Sequence, residues 1–274
     1  MANPLTNKNI LITGAGRGIG KRLAMGLAAK GARVGLLARS KAEIDLAKLE
    51  IEHAGGQALH LRADVRELDQ LQAAAERMRV HWGSIDILIA AAGIQGPIGP
   101  FLETSPKAWC DTIETNLFGV MNSIRAVLGP MIERRNGKII VLSGGGSLTP
   151  RPSFSAYAAA KTGMVRMVET IAVEVNDHNV QINCMAPGGS YTSMTDEILH
   201  AGDKAGWKEI DDATIIRTTG GVQTDRQVQL AEFLASEASN HITGKLVHVN
   251  DDWKKLLRST VNPELFTLRR VMKI

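Results

Sequence analysis

Short apolar segments alternate with longer amphipathic segments along most of this chain, and the alternation restricts the possible fold more than any other feature. Seven apolar segments have the pattern of buried strands, and they lie at residues 9–13, 33–38, 58–62, 85–90, 138–143, 180–185 and 245–249. Helical patterns separate them, at residues 18–30, 41–54, 67–81, 107–134, 155–177 and 225–236. Apolar strands separated by helices are typical of a parallel sheet that is covered on both faces. The sequence therefore predicts an α/β fold with a doubly wound, seven-stranded parallel sheet.

Two regions depart from this alternation. Residues 189–224 contain several polar and glycine residues and no long apolar run, which predicts a lid over the ligand crevice. Residues 251–274 form an atypical tail with apolar residues between basic ones, and the tail could pack on the body or on a neighbouring subunit. No repeat or low-complexity linker divides the chain, so residues 1–274 are predicted to form a single domain.

Charge and cysteine content exclude several classes of protein. The formal net charge is +4 and the basic residues are scattered, so nucleic-acid binding is not expected. Cys110 and Cys184 lack the spacing of a zinc site, so no metal is expected, and a reduced interior suits both thiols. No signal peptide is recognisable, and no segment is apolar over the roughly 18 residues that a membrane span needs. The sequence therefore favours a cytoplasmic location and no membrane contact.

A glycine-rich turn joins the first predicted strand to the first helix, with Gly14, Gly16, Gly18 and Gly20 between them. Glycine permits positive φ and lets the backbone approach a ligand closely. The amino terminus of a helix adds free N–H groups and partial positive charge, which together bind phosphate. This context, with a second strand following the helix, predicts a dinucleotide pyrophosphate site in a Rossmann-type fold.

The segment Thr13–Gly20, TGAGRGIG, resembles the cofactor motif of the short-chain dehydrogenase/reductase family, in its single-domain branch. Further motifs of that family follow in order over about 240 residues, at Asp64-Val65, Asn116, Tyr157, Lys161, Pro187-Gly188 and Thr192. The resemblance implies an oxidoreductase that transfers a hydride between a nicotinamide cofactor and a carbonyl/secondary alcohol pair, acting on a small-molecule substrate. It also implies a homodimer or homotetramer formed through the helices at 107–134 and 155–177.

The same resemblance implies a set of cofactor-binding residues. They are Gly14, Arg17, Gly18, Ile19, Gly20, Arg39, Ser40, Asp64, Val65, Ala91, Gly93, Tyr157, Lys161, Pro187, Gly188 and Thr192. One departure lies after the fourth strand, where the family's NNAG is replaced by Ala90-Ala91-Ala92-Gly93. The amide side chains that brace the strand are missing there, so we expect a binding site with altered support.

The end of the second strand indicates which dinucleotide is preferred. NAD-binding sheets usually carry Asp or Glu there to hold the ribose 2′-hydroxyl. This strand ends Leu37-Ala38-Arg39-Ser40, and a carboxylate at its tip is missing. Arg39 can instead bind a 2′-phosphate through a charge-assisted fork, with Arg17 of the glycine turn approaching the same group. The sequence therefore predicts NADP(H) as the cofactor.

Tyr157 and Lys161 are four residues apart and therefore share one face of a helix. A nearby ammonium favours the phenolate and is expected to lower the pKa of the tyrosine. The resemblance implies that Tyr157 is the acid or base and that Lys161 also holds the nicotinamide ribose. It further implies that Asn116 holds a water that links Lys161 to solvent.

The family's substrate-orienting serine lies thirteen residues before the tyrosine, and that position is Gly144. Three explanations remain open. Ser147, a water or a substrate hydroxyl replaces the serine; or backbone N–H groups of the glycines hold the carbonyl oxygen; or catalysis is weak or lost. Ser143 is adjacent but is expected on the opposite face of the strand, so it could replace the missing hydroxyl only through a bulge. The candidate substrate residues are Ser143, Gly144, Gly145 and Ser147. The alternative function is a catalytically weak or inactive NADP-binding regulatory or scaffold protein.

Overall fold

The seven predicted strands form one parallel sheet in the computed structural model, which describes residues 3–257, 262 and 264–269. The strands are β1 (Asn9–Thr13), β2 (Arg33–Ala38), β3 (Gln57–Arg62), β4 (Ile87–Ala90), β5 (Gly137–Leu142), β6 (Val180–Ala186) and β7 (Leu246–His248). Their order across the sheet is β3-β2-β1-β4-β5-β6-β7. The predicted doubly wound, Rossmann-type α/β fold is confirmed, because every strand pair is parallel.

Helices cover both faces of the sheet. They are α1 (Gly18–Ala28), α2 (Lys41–His53), α3 (Leu68–Trp82), α4 (Pro106–Ile113), α5 (Gly119–Arg134), α6 (Ser155–Glu174), α7 (Ser193–Ala201), α8 (Trp207–Thr219) and α9 (Thr224–Ala235). The apolar sides of α1, α2 and α9 pack on one face, and those of α3, α5 and α6 pack on the other. β1 and β4 are therefore buried along their whole length, which explains their mostly apolar sequences, whereas the edge strand β3 is exposed at Gln57 and Arg62.

The order of the strands reverses at β1, which pairs with β2 on one side and with β4 on the other. At Thr13 the register joins Leu37 of β2 and Ala90 of β4, so three strands end at the same level. In open parallel sheets the ligand crevice lies outside the carboxyl ends of the strands at this reversal. The glycine turn begins there, directly after Thr13.

The helix predicted over 107–134 is present as a continuous helical stretch over residues 106–134, but a π-helical turn interrupts its α-helical geometry. The structure divides it into α4, a π-helical turn over Glu114–Phe118, and α5. The interruption coincides with Asn116, whose side chain is fully buried and pairs with the backbone of Ile94 in the loop after β4. A single π turn inside an α-helix is often found at a functional site.

Residues 189–224, the predicted lid, contain the two helices α7 and α8, which the sequence did not indicate. These helices bury Ile198 and Ala213 against Phe154 and Tyr157, in a small apolar cluster separate from the two main cores. An α-helix is difficult to recognise from a polar segment, and α8 buries only Ala213 fully. The segment is therefore attached to the rest of the domain, near Tyr157, by a few apolar contacts.

The described part of the predicted tail packs on its own chain. The indole of Trp253 stacks on Phe233 of α9, with ring centroids 5.2 Å apart, and Leu256 is buried in the same core. Farther along, Phe266 O accepts a hydrogen bond from Leu246 N, and Leu268 N donates one to the Glu169 carboxylate. Within residues 251–274, positions 258–261, 263 and 270–274 lie outside the described residues.

Both cysteines are free thiols, but only one is in the interior. Cys184 is buried on β6, whereas Cys110 is exposed on α4. None of the helices in the part of the chain that the structure describes is long and apolar enough to cross a membrane. Among those same residues, His, Cys, Asp and Glu side chains form no cluster of three that could hold a metal ion.

Candidate active site

A cavity of about 540 Å³ lies over the carboxyl ends of the central strands. Its walls include all of the predicted cofactor residues except Gly188. The wall residues are Gly14, Gly16, Arg17, Gly18, Ile19, Gly20, Ala38, Arg39, Ser40, Glu43, Ala63, Asp64, Val65, Ala91, Ala92, Gly93, Ile94, Thr115, Leu142, Ser143, Tyr157, Lys161, Pro187, Thr192, Ser193, Met194 and Glu197. The fold thus brings together residues from distant parts of the chain that the motifs had indicated separately.

The glycine turn is shaped by close packing as well as by backbone freedom. Gly14 has φ +67°, and a Cβ there would lie 2.7 Å from Ala92 Cα. A Cβ at Gly20 would lie 2.2 Å from Gly14 O, so neither position accepts a side chain. Arg17 caps α1 in an extended conformation, without a side-chain hydrogen bond to the first turn and without an acidic residue in it. The first N–H groups of α1 are therefore left for an anion.

Charges of both signs line the cavity where β2 and β3 end, at Arg39 and Asp64. The side chain of Arg39 is 60% exposed, and its Nη1 lies 3.9 Å from the Asp64 carboxylate. Hydrogen bonds from Arg66 to Asp64, at 2.6–3.1 Å, lower the pKa of that carboxyl. Asp64 is thus held by a neighbour rather than free, and Arg39 remains available to a ligand phosphate.

Two acidic wall residues were missed by sequence reasoning. Glu43 follows the N-cap Ser40 of α2, and a Cβ at Gly16 would lie 3.0 Å from Glu43 Oε2. Glu197 of α7 also faces the cavity, where desolvation raises its pKa and the charge of Arg17 opposes that effect. Glu43 lies three residues after the N-cap Ser40, and this spacing in the sequence could have indicated a residue in the first turn of α2. Its approach to the glycine turn depends on tertiary packing and could not have been predicted from the sequence.

Tyr157 and Lys161 lie on successive turns of α6 and both line the cavity. Both side chains are buried, and Lys161 Nζ donates a hydrogen bond to Leu142 O at 2.7 Å. Burial lowers the pKa of Lys161 to about 8. Burial also raises the pKa of Tyr157, and the cation that opposes it is Arg151. The expected net lowering of the Tyr157 pKa by lysine is therefore wrong for this arrangement, because desolvation outweighs the nearby charge.

The four candidate substrate residues differ in position. Ser143 lines the cavity, is 4% exposed, and its Oγ has no hydrogen-bond partner among the described residues. Gly144 lies against Tyr157, since a Cβ there would be 2.5 Å from Tyr157 Oη. Ser147 lines a different groove with Leu148, and its carbonyl accepts a hydrogen bond from a threonine of α6. Gly145 lines neither the cavity nor this groove, so Ser143 is the hydroxyl that the loop presents to the cavity.

Two side chains brace the strand end that lacks the family's amides. Thr13 Oγ1 accepts hydrogen bonds from Ala91 N and Ala92 N, each at 3.2 Å. Asn116 Oδ1 accepts from Ile94 N and its Nδ2 donates to Ile94 O, both at 2.8 Å. The altered support predicted for Ala90–Gly93 thus comes from β1 and from the π-helical turn, and the bracing role of Thr13 was missed.

Comparison with known proteins agrees with this geometry. A family model described as short chain dehydrogenase matches residues 8–202. The 3-oxoacyl-(acyl-carrier-protein) reductase FabG of Staphylococcus aureus is 32% identical over 244 residues, which cover 89% of this chain and 96% of the relative.

Two solved structures are also similar. A gluconate 5-dehydrogenase from Burkholderia cenocepacia, in complex with NADP and tartrate, has TM-score 0.80 and 31% identity and covers 90% of this chain and 95% of its own. An actinorhodin polyketide ketoreductase with NADPH has TM-score 0.81 and 26% identity and covers 89% of this chain and 95% of its own. The family match extends over most of the chain and includes the glycine turn and the Tyr157–Lys161 pair. The chain therefore belongs to the short-chain dehydrogenase/reductase family of oxidoreductases.

Proposed function

We propose that this protein is an NADP(H)-dependent oxidoreductase that interconverts a carbonyl group and a secondary alcohol. The observation that carries the proposal is the shared cavity, whose walls include Tyr157 and Lys161 as well as Arg17 and Arg39. The first pair can hold and protonate a small substrate, and the two arginines can bind a phosphorylated dinucleotide.

The residues present fit a dinucleotide with a phosphate on its ribose. The first turn of α1 has free N–H groups, and positive φ at Gly14 and Gly18 shapes the preceding backbone. Arg17 and Arg39 would hold the additional phosphate. The similar gluconate dehydrogenase and polyketide ketoreductase structures contain NADP and NADPH, which supports the same choice for this chain. When bound, such a cofactor supplies or accepts the hydride.

The proton is moved by Tyr157. Burial raises the pKa of its phenol, so the hydroxyl is protonated near neutral pH and can donate to a carbonyl oxygen. Lys161 is held in place by Leu142 O and presents a positive charge beside the ring, with Nζ 5.7 Å from the ring centroid. Asn116 holds the loop at Ile94 with both polar atoms of its side chain, so we assign it a structural part in the site.

The substrate oxygen needs a second donor, because Gly144 replaces the expected serine. The hydroxyl of Ser143 is buried beside the cavity without a partner among the described residues, and the glycine loop, whose backbone N–H groups could also donate, follows it directly in the chain. We propose that these groups replace the missing serine. Ser147 is less suitable, since it lines another groove.

A second copy of the chain is proposed to pack on α5 and α6, as in the family. Phe118 and Val173, beside and within these helices, are 50% and 78% exposed and would be covered by such a contact. Sedimentation of the purified protein checks this, because a monomer across the micromolar range would contradict it.

The activity is tested by a dual screen of the purified protein, with NADPH and carbonyl compounds and with NADP and secondary alcohols. We expect carbonyl-dependent oxidation of NADPH, and Tyr157→Phe should reduce it about 10²–10⁴-fold. Calorimetry should show that Tyr157→Phe still binds NADPH. Binding without turnover on the whole panel would instead support the regulatory or scaffold alternative.

A further inference from the structure

Arg151 places a second positive charge next to Tyr157. It lies in the loop between β5 and α6, with its guanidinium carbon 3.9 Å from the ring centroid of Phe154 and 5.5 Å from that of Tyr157. Its side chain is only 14% exposed. It also lies along the glycine loop, since a Cβ at Gly145 would have three Arg151 side-chain atoms within 3.8–3.9 Å. This arginine therefore packs between the loop and the tyrosine.

Glu209 of α8 holds Arg151 in this position. Arg151 Nε donates to Glu209 Oε1 at 2.9 Å, and Arg151 Nη2 donates to Oε2 at 2.7 Å. This two-bond fork fixes the plane of the guanidinium as well as its distance. The carboxylate is 20% exposed, so solvent screens the pair less than it screens the pairs on the outer helix faces. One ion pair thus connects the loop after β5 to the predicted lid.

The remaining surroundings of Tyr157 contain few charges. Lys161 lies on the same helix, and α7 and α8 contribute apolar residues such as Ile198 and Ala213. In the described part of the chain, Arg151 and Lys161 are the cations that lie within 6 Å of the Tyr157 ring centroid. Lys161 is already engaged with Leu142 O, whereas Arg151 is balanced by a carboxylate.

We propose that Arg151 is a positioning residue for Tyr157. From the lid side, Arg151 packs against the tyrosine ring and sets the electrostatic potential at the phenol, and Glu209 moderates the charge of Arg151. The need for such a residue follows from Gly144, because the loop has lost the serine side chain that would border the phenol. The electrostatic direction is consistent, since Arg151 lowers the pKa of Tyr157 while burial raises it. The importance of Arg151 for turnover rests on the proposed function, in which Tyr157 is the acid or base. The effect of Arg151 on the titration of Tyr157 does not depend on that function.

The two partners should therefore have opposite effects on Tyr157. Arg151→Met removes the cation and should raise the pH midpoint of the phenol, by on the order of one pH unit. Glu209→Gln keeps a hydrogen-bonding side chain but leaves Arg151 uncompensated, so it should lower the midpoint by a smaller amount. A purely structural ion pair would give the same direction of change for both variants.

The chain contains two tyrosines, Tyr157 and Tyr191, so a Tyr191→Phe background leaves one phenol to observe. Replacing tyrosine biosynthetically by difluorotyrosine makes the phenol intrinsically more acidic and keeps the titration within the range where the fold is intact. Fluorine NMR of the full chain then follows Tyr157 directly, without cofactor, substrate or turnover. Arg151→Lys is the conservative variant and should stay close to the unsubstituted background.

Arg79 and Glu76 form a matched Arg–Glu pair on the outer side of α3. Arg79→Met and Glu76→Gln change the net charge by the same amounts and should leave the midpoint unchanged. Shifts of one sign for both Arg151 and Glu209 variants, or shifts no larger than those of the α3 pair, would overturn the proposal. If Arg151→Met does not fold, the lowered midpoint of Glu209→Gln alone decides. Opposite shifts in a protein that lacks turnover would leave this proposal standing and reject the proposed function.

Discussion

The phenol oxygen of Tyr157 occupies the place that a side chain at position 144 would need, because a Cβ built on Gly144 lies 2.5 Å from Tyr157 Oη. The hydroxyl of Tyr157 thus fills the volume that the absent side chain at position 144 would otherwise occupy. A residue at 144 and the position of the tyrosine ring are therefore coupled.

Gly144→Ala should displace the Tyr157 ring and lower turnover. Overpacking of this kind costs about 1–3 kcal/mol in a well-packed site, and the ring of Tyr157 must move to relieve it. We expect a lower Tm and a reduced kcat, measured by thermal unfolding and by steady-state kinetics on one substrate.

Gly145→Ala is the matched control in the same loop. A Cβ there meets its nearest neighbours, atoms of Arg151, at an ordinary 3.8 Å. Its Tm and kcat should stay close to those of the unsubstituted protein. Equal losses in Gly144→Ala and Gly145→Ala would indicate general stiffening of the loop and would count against a specific contact with Tyr157.

Lys161→Met should stabilise the protein at neutral pH although it removes a proposed catalytic residue. Burial lowers the pKa of Lys161 to about 8, so the folded protein carries a disfavoured charge below that pH. The unfolded chain binds the proton more readily, and the penalty disappears only as the pH rises from about 8 toward the usual lysine value. We expect a gain on the order of 2 kcal/mol at pH 7 after loss of the hydrogen bond to Leu142 O, shrinking as the pH rises above 8.

Lys138 provides the comparison for this effect. It lies at the opposite end of β5, is also buried, and burial lowers its pKa to about 7. Lys138→Met should likewise raise the free energy of unfolding at pH 6–7 but should leave turnover unchanged. Thermal melts across pH 6–10 with activity assays separate the two. A Lys161→Met variant that melts lower than the unsubstituted protein at pH 7 would contradict the charge-burial explanation.

The fold and the cofactor half of the site were accessible to sequence reasoning for a physical reason. Buried parallel strands must be apolar throughout, and the glycine turn must spare backbone space at Gly14 and Gly20, so both leave a local pattern. The contacts of Thr13 with the amides after β4 join residues almost 80 positions apart. Pairings of this kind depend on strand order and leave no periodic signal in the sequence.

The substrate half was less predictable because it depends on where loops and side chains pack. The alternation of side chains along β5 placed Ser143 on the face away from Gly144. The structure shows Ser143 at the cavity, its hydroxyl without a hydrogen-bond partner in the described part of the chain, and Tyr157 against Gly144. Arg151 and Glu209 come from a loop and from a helix with little apolar periodicity, so no local pattern connects them.

Asn116→Ala should destabilise the protein and weaken cofactor binding together. The side chain satisfies both Ile94 N and Ile94 O, and their loss leaves two buried backbone groups unpaired, at a cost of about 2–4 kcal/mol. Because Gly93 and Ile94 line the cavity, we expect a weaker Kd for NADPH as well as a lower Tm. Calorimetry and thermal melts measure the two effects.

Asn183 is the control for this prediction, since it is equally buried and also makes two backbone hydrogen bonds, to Ile242 O and from Lys245 N. Asn183→Ala should cost similar stability without changing the Kd for NADPH. If both asparagine variants weaken NADPH binding to the same extent, the effect belongs to general loss of stability and Asn116 has no special part in shaping the cavity.

Arg39→Asp should reverse the cofactor preference of the protein. The guanidinium lies at the end of β2, is largely exposed and is 3.9 Å from the Asp64 carboxylate, so it can turn to a ribose phosphate. An aspartate would repel that phosphate and could accept a hydrogen bond from a ribose 2′-hydroxyl. Since a hydrogen bond to a charged group is worth about 1.5–3 kcal/mol, the Kd for NADPH should rise roughly 10–100-fold, with that for NADH unchanged or lower.

Arg77→Asp on the outer face of α3 controls for net charge and should alter neither value. An unchanged ratio of the two Kd values in Arg39→Asp would show that this arginine does not select the cofactor. Glu43, which lies beside the glycine turn, would then be the next candidate for the residue that selects between the two dinucleotides.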